Sequence, residues 1–376
     1  MLENIIKIVY VVNVDWFFIS HRLPLALEAL SRKWNVYLIC KNTGKFGELT
    51  NMGINCISVD FSRSGKNLVK ELKYIFFLKK IYKNLNPDII HHIAIKASVY
   101  GTIAAKKSKV NAKIINTVSG LGYTFTGNKR LFSKFFLIRL FKYVFSDQRT
   151  DFIFQNPDDN SFYNDLKFLN ERNHVIIKGA GVDETVFLEK KNSVLKGKIR
   201  IVFLARMLKD KGVFEFIKAA NMLRARYSDI IEFVLVGGID IFNPSFVSED
   251  QLISLTDSTY LIWLGHQENV KKIYESADIV CLPSYREGLP KSLVEAMAVG
   301  CPIITTDAIG CRECVDNGVN GFLVPVGDYE ILAQRIEELV LDKELRIKMG
   351  HKSREKMIKE MSLSKVIKMT FDFYEQ

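Results

Sequence analysis

Two glutamates, Glu287 and Glu295, stand eight positions apart in Ser284-Tyr285-Arg286-Glu287-Gly288-Leu289-Pro290-Lys291-Ser292-Leu293-Val294-Glu295. The apolar run before them, Ile279–Leu282, reads as a buried strand. Pro290 suits the first turn of a helix, where a missing N–H costs nothing. Glu287 then lies in the loop before the helix and Glu295 inside it. Between them, the backbone amides of Gly288 and the residues after it form a natural anion site. An anion held beside two carboxylates needs positive charge nearby. Arg206 leaves the end of another strand-like run, 199–204, and Lys211 opens the helix that follows. Such a pair would neutralise a diphosphate, with arginine offering bidentate contacts to its oxygens. Taken alone, the two cations read as ordinary surface charge. A strand-end position in the same domain as the glutamates favours the phosphate reading.

These residues need a parallel-sheet frame. Strand-like runs at Ile5–Val12, Val36–Cys40, Ile54–Val59, Asp88–Ile93, Lys113–Val118, Asp151–Phe154 and His174–Ile177 alternate with amphipathic segments, including Ser20–Arg32 and Asn67–Leu85. The rhythm breaks near 180–198 and resumes at Ile199–Leu204. Further strands are expected at Glu232–Val236, Tyr260–Leu264, Ile279–Leu282 and, last, Pro302–Thr305. Two helices over about Tyr329–Glu360 and an aromatic tail, Met369–Tyr374, close the chain. This is a βαβ pattern, hence α/β domains with parallel sheets covered on both faces. The expectation is two doubly wound domains, 1–180 and 181–376, facing across a cleft, with the last helix packing back on the first domain. Ligands in such folds bind beyond the carboxyl ends of the strands.

The 376 residues exceed one ordinary core. Residues 1–178 hold 27 Lys and Arg against 13 Asp and Glu, a net of +14, whereas 179–376 hold 26 against 29, a net of −3. That asymmetry points to a polyanionic partner for the first half. Nucleic acid is disfavoured, because no helix-turn-helix, RNP-like or zinc-finger pattern accompanies the charge. No run of eighteen apolar residues is present, so no membrane-spanning helix is expected. Cysteines lie mostly in apolar runs and read as reduced core thiols, Cys311 and Cys314 included. Neither G-x-G-x-x-G after the first strand nor G-x-x-x-x-G-K-[ST] occurs, which argues against a dehydrogenase or a P-loop NTPase.

Several segments together resemble the family 4 glycosyltransferases of the GT-B fold. They are Arg206…Lys211-Gly212, Val234-Leu235-Val236-Gly237-Gly238, Leu282-Pro283-Ser284 through the glutamate pair, Gly300-Cys301-Pro302-Ile303-Ile304 and Asn320-Gly321-Phe322-Leu323-Val324. Ser20-His21-Arg22-Leu23-Pro24 and Ser119-Gly120-Leu121-Gly122 resemble the branch that builds bacterial lipid-linked oligosaccharides, in particular N-acetylgalactosaminyltransferases acting on undecaprenyl-diphosphate sugars. The resemblance implies that Arg206 and Lys211 grip a donor diphosphate and that Glu295 holds the ribose. Glu287, with Gly288, Leu289 and Pro290, meets sugar and phosphate. It further implies a retaining, metal-independent hexosyltransferase that needs no cofactor, and no Asp-x-Asp motif is present to hold a metal. Its partners would be a UDP-sugar, best UDP-GalNAc, and a lipid-linked saccharide. Other hexose, hexosamine or deoxysugar donors for O-antigen or capsule remain alternatives, as does a GT-B nucleotide-sugar epimerase.

The chain departs from the family after its first strand, where Asn13-Val14-Asp15-Trp16-Phe17-Phe18 replaces the usual Gly-Gly loop. Asp15 or His21 is then a candidate contact for acceptor or donor sugar. His21 reads equally as a helix-start cap. His92 ends a strand and either faces the cleft or is a satisfied polar group. Gly120 and Gly122 form either an acceptor loop or a plain turn. The aromatic, basic stretch 133–145 is an amphipathic helix, lying on an anionic membrane or in the core. Lys106, Lys107, Lys109, Lys113, Lys129 and Arg130 add to its field. The localisation expected is cytoplasmic, peripheral on the inner face of the plasma membrane.

Overall fold

A computed structural model describes residues 5–59, 68–119, 131–145, 147–169, 173–190 and 197–376. The chain divides into two compact units, Met1–Ala180 with Ile367–Gln376, and Gly181–Val366. Unit 1 runs β1 (Lys7–Val14), α1 (Asp15–His21), α2 (Leu23–Ser31), β2 (Asn35–Lys41), α3 (Phe46–Asn51), β3 (Asn55–Ser58), α4 (Leu68–Leu85), β4 (Ile89–Ile93), α5 (Ile95–Ser108), β5 (Lys113–Val118), α6 (Leu131–Phe145), β6 (Thr150–Phe154), α7 (Pro157–Asp165) and β7 (His174–Ile176). Its seven strands are ordered β3-β2-β1-β4-β5-β6-β7, and every neighbouring pair is parallel. β1 and β4 are almost wholly buried, as strands covered on both faces must be.

Unit 2 repeats the plan with β8 (Ile199–Leu204), α8 (Val213–Tyr227), β9 (Ile231–Val236), α9 (Glu249–Leu255), β10 (Leu261–Trp263), α10 (Val270–Ser276), β11 (Ile279–Leu282), α11 (Lys291–Ala298), β12 (Ile303–Thr306), β13 (Gly321–Val324), α12 (Tyr329–Leu341), α13 (Lys343–Met361) and the start of α14 (Leu363–Tyr374). Its strand order is β10-β9-β8-β11-β12-β13, again all parallel. In both sheets the first strand is central, the next two lie on one side and the rest on the other. The chain therefore reverses direction of growth between β1 and β4 and between β8 and β11, which opens a crevice at the strands' carboxyl ends.

Two expectations change. The helix expected over Ser20–Arg32 is two helices, because Arg22 leaves helical geometry with φ −136° and Pro24 starts the second. Pro302–Thr305 is not the last strand: β13 follows it, a four-residue strand that opens on a glycine and so carries a weak pattern. The tail from Ile367 belongs to unit 1. There Trp34 packs on Phe371 with ring centroids 5.2 Å apart, and Arg32 meets Glu375 at 2.6 Å.

Candidate functional site

The candidate site lies at the reversal point of unit 2. Beyond β8, a 3-10 turn, Lys209–Lys211, ends on Gly212 with φ +80°. A Cβ on Gly212 would collide with the Pro283 carbonyl, so its absence lets this turn press against the loop after β11. The Asp210 carbonyl accepts from the Tyr285 amide at 2.9 Å and from Ser284 Oγ at 3.1 Å. Lys211 Nζ thereby reaches Glu287 Oε1, and both side chains are mostly buried. The same oxygen accepts from Ser284 Oγ at 2.9 Å.

The loop after β12 fixes Glu287 from another side. The Glu287 amide donates to the Ile309 carbonyl at 2.9 Å, and Gly310, at φ +78°, abuts the Glu287–Gly288 backbone. A Cβ on Gly310 would come within 2.6 Å of the Gly288 carbonyl oxygen. Cys311 packs in behind. Burial, and then the Glu287 charge, push its thiol up to about 12, so it stays protonated and inert.

α11 starts at Lys291 with Pro290 at the cap, one residue later than a first-turn proline implies. Leu289 packs against the unit 2 core. Glu295 is buried, taking Tyr274 Oη at 3.2 Å and Lys291 Nζ at 3.2 Å. Burial, and then the Glu295 carboxylate, raise the Tyr274 phenol well above its ordinary value, so it remains a hydrogen-bond donor to Glu295.

Arg206 is half-exposed and pairs with Asp240 at 2.5 Å, not with Glu287. Asp240 opens a loop zipped onto the Arg206–Lys211 segment. The Lys209 amide donates to the Ser245 carbonyl at 2.8 Å, the Val247 amide to Met207 at 2.9 Å, and Ser245 Oγ to Asp210 at 3.0 Å. Sequence reading missed Asp240, Ser245, Tyr274 and Gly310. Asn243-Pro244-Ser245 was the available signal, since the Asn243 side chain accepts from Ser245 N at 3.0 Å as a turn.

Unit 1 treats its candidates differently. Asp15 is buried, and its carboxylate accepts from the amides of Trp16 at 2.8 Å, Thr43 at 2.6 Å and Lys45 at 3.1 Å, and from the Thr43 hydroxyl. Burial works to raise its pKa, but these bonds hold it below the usual carboxylate range. Asp15 is thus committed to joining the loops after β1 and β2, and is corrected from a sugar contact to a brace. His21 ends α1 rather than starting a helix. Its ring stacks on Phe17 at 4.3 Å, and Nδ1 lies 2.5 Å from Ser20 Oγ. His92 is fully buried between Tyr82 Oη at 3.0 Å and Asn116 Oδ1 at 2.9 Å, so it is the satisfied polar group and not a cleft residue. Burial lowers its pKa to about 4 against the Asn116 hydrogen bond, leaving it neutral. Gly120, Gly122, Lys129 and Arg130 lie outside the described residues. In α6, Phe141, Val144 and Phe145 are buried, which assigns that part of the 133–145 helix to the core.

Two parallel α/β units of this topology, with a cation–carboxylate site at a reversal point, define the GT-B architecture. Solved structures share it. A glycosyltransferase from Rickettsia africae superposes with TM-score 0.78 at 20% identity, covering 99% of this chain and 98% of that one. Anabaena Alr3699/HepE in complex with UDP and glucose superposes with TM-score 0.77 at 16% identity, covering 99% and 100%. Residues 186–356 match the family described as glycosyl transferases group 1, and residues 7–156 match glycosyl transferase 4-like. The N,N'-diacetylbacillosaminyl-diphospho-undecaprenol alpha-1,3-N-acetylgalactosaminyltransferase of Campylobacter jejuni is 32% identical over 89% of this chain and 91% of its own. The UDP-Gal:alpha-D-GlcNAc-diphosphoundecaprenol alpha-1,3-galactosyltransferase of Escherichia coli is 23% identical over 92% and 89%. The chain belongs to the glycosyltransferases of this family. Among the described residues, no helix is long and apolar enough to cross a membrane.

Proposed function

We propose that this enzyme is a retaining, metal-independent glycosyltransferase. It moves a sugar, best GalNAc from UDP-GalNAc, onto an undecaprenyl-diphosphate-linked saccharide during surface-glycan or glycoprotein-glycan assembly. The observation that carries the reading is the Lys211–Glu287 couple at the reversal point of unit 2. A lysine held by a carboxylate at a crevice of this kind is oriented before any ligand arrives. The relatives' names supply the substrate class: both act on undecaprenyl-diphosphate sugars, one as a GalNAc and one as a galactose transferase.

In this reading unit 2 takes the donor. Arg206 and Lys211 hold the diphosphate, and the first-turn amides of α11 add partial positive charge. Charge grows on the β-phosphate as the bond from sugar C1 to phosphate oxygen breaks, and these groups stabilise it in place. The acceptor hydroxyl forms the new bond on the same face, and its proton passes to a phosphate oxygen of the departing UDP. No protein base is needed. Glu287 positions Lys211 and meets the sugar hydroxyls, while Glu295, steadied by Tyr274, accepts from the ribose. Unit 1 takes the acceptor.

The test is transfer from UDP-, GDP- and dTDP-sugars with EDTA present, with and without a polyprenyl-diphosphate saccharide. Acceptor-dependent release of UDP from UDP-GalNAc, with the α-anomer retained, is expected. Release only from UDP-galactose would change the donor. Loss of all transfer in EDTA, restored by a divalent cation, would overturn metal independence.

A further inference from the structure

α4 turns an unusual face outward. Val69, Leu72 and Phe76 are 62%, 51% and 63% exposed, and their spacing puts them on one stripe. Lys73, Lys80 and Lys83 are also exposed on the same stripe, Lys73 beside Leu72 and Phe76 and the other two toward the C-terminus of the helix. The opposite face, with Tyr74, Ile75, Leu78 and Tyr82, is buried in the unit 1 core. The helix has a single acid, Glu71, and it is turned inward to Lys96 of α5 at 2.8 Å. The outward face therefore carries apolar and cationic side chains and no carboxylate. Beside its first turns lies a cavity of about 420 Å³, whose lining includes Ser58, Lys73 and Phe77.

We propose that this face of α4 is the docking surface for an anionic lipid bilayer. Val69, Leu72 and Phe76 enter the headgroup layer, and Lys73, Lys80 and Lys83 meet lipid phosphates. The cavity seats a headgroup phosphate against Lys73. Charge complementarity selects the occupant, since a stripe without a carboxylate, in a half of the chain with net charge +14 (27 basic against 13 acidic residues), suits a negatively charged surface. The proposal deepens the reading of a lipid-linked acceptor by naming where the protein meets the membrane.

The experiment is co-sedimentation of the full-length protein with vesicles of phosphatidylcholine, alone or with one third phosphatidylglycerol, at low salt. Wild type should bind only the anionic vesicles. Leu72→Ser with Phe76→Ser should weaken binding about tenfold or more. Lys73→Gln, Lys80→Gln and Lys83→Gln should weaken it by roughly fivefold each. Sugar transfer to a detergent-dispersed acceptor should be unchanged in every variant. Unchanged vesicle binding by the variants, or none by wild type, overturns the proposal. So does a dimer that the Leu72→Ser and Phe76→Ser changes dissociate while vesicle binding persists. Intact, α4-dependent vesicle binding with no transfer from any donor leaves the docking surface standing and overturns the proposed reaction instead.

Discussion

The two units share one topology and furnish it oppositely. At the reversal point of unit 1, the residue leaving the first strand is Asp15, and its carboxylate is taken up by three amides and a hydroxyl. At the same point of unit 2, the segment leaving β8 carries Arg206 and Lys211, each met by a single carboxylate. Below the strand ends the contrast continues. Unit 1 buries two neutral histidines, His91 and His92, whereas the two histidines of Gly181–Val366, His266 and His351, are exposed. The topology makes a reversal point in both units; in unit 1 its carboxylate is spent on backbone amides and a hydroxyl, and in unit 2 it carries charged pairs.

The sharpest break in this comparison comes from Glu287. Glu287→Ala should lower kcat/KM by about 10²–10³, the scale of losing one preorganised electrostatic group. The melting temperature should move only slightly, because Ser284, Gly310 and the backbone pairings of the loop remain. A variant with wild-type turnover would reduce the Lys211–Glu287 couple to a structural ion pair of the kind unit 1 could equally carry.

Acid should separate the units next. Burial holds His92 at about 4 against an ordinary 6.5, and burial with the nearby Arg22 charge holds His91 well below it. A neutral buried histidine favours the folded state above the unfolded pKa, and that stability is lost as pH falls from 6.5 toward 4. For His92 alone the loss is about 3 kcal/mol, at roughly 1.4 kcal/mol per unit. In unit 2, Asp257 has a lowered pKa. Burial opposes that shift, but the Tyr260 and Thr259 amides and Arg224 outweigh it. Its contribution is present above the ordinary carboxylate value and fades only below it. Hydrogen exchange at pH 5, corrected for intrinsic rate and compared with pH 7.5, should show unit 1 opening while unit 2 holds. Equal opening of both would mean the buried histidines do not set the acid limit.

A matched pair of substitutions at equivalent positions comes third. Asp15→Ala should cost about 2 kcal/mol of stability by orphaning buried amides, with donor affinity unchanged. Lys211→Ala should do the reverse, weakening UDP-sugar binding about tenfold with little change in unfolding. Calorimetry of binding and of unfolding on both variants separates the two. Unaltered nucleotide affinity in Lys211→Ala would remove the diphosphate from this site.

Much of this contrast could be read before any coordinates, though unevenly. The runs Lys113–Val118, Ile199–Leu204 and Ile279–Leu282 form strands with the bounds their hydrophobicity suggests, because strands covered on both faces need continuous apolar sequence. The meeting of Lys211 and Glu287 was readable because each leaves a strand end of the same sheet. Asp15 was not readable, since its partners Thr43 and Lys45 lie 28 and 30 residues away in another loop. The last helix was expected to pack back on the first domain, but the contacts that hold it, such as His91 to Tyr374 at 2.6 Å, 283 residues apart, were not legible. His92 misled for a local reason. A strand-end histidine has the same one-dimensional pattern whether it faces a ligand or, as here, the Gly101 surface of α5. The exposed stripe of α4 was hidden because an amphipathic pattern reports one apolar face, not the apolar residues left over on the other.

The smallest expected effect tests whether unit 2 carries any bracing of its own. Arg206 is half-exposed, so its pair with Asp240 contributes at most about 1 kcal/mol to stability, screened further by salt. Asp240→Asn keeps the side-chain shape and a hydrogen-bonding oxygen while removing the charge. If Asp240 only orients Arg206, unfolding should be nearly unchanged and the KM for the UDP-sugar should rise a few fold, with kcat preserved. If instead Asp240 competes with the diphosphate for Arg206, the same substitution should lower KM. A variant that unfolds as readily as Asp15→Ala would show that the loop zipped along Lys209 and Val247 depends on this ion pair. The reversal point of unit 2 would then be braced in the manner of unit 1, and the division between a scaffold crevice and a charged one would narrow to Lys211 and Glu287.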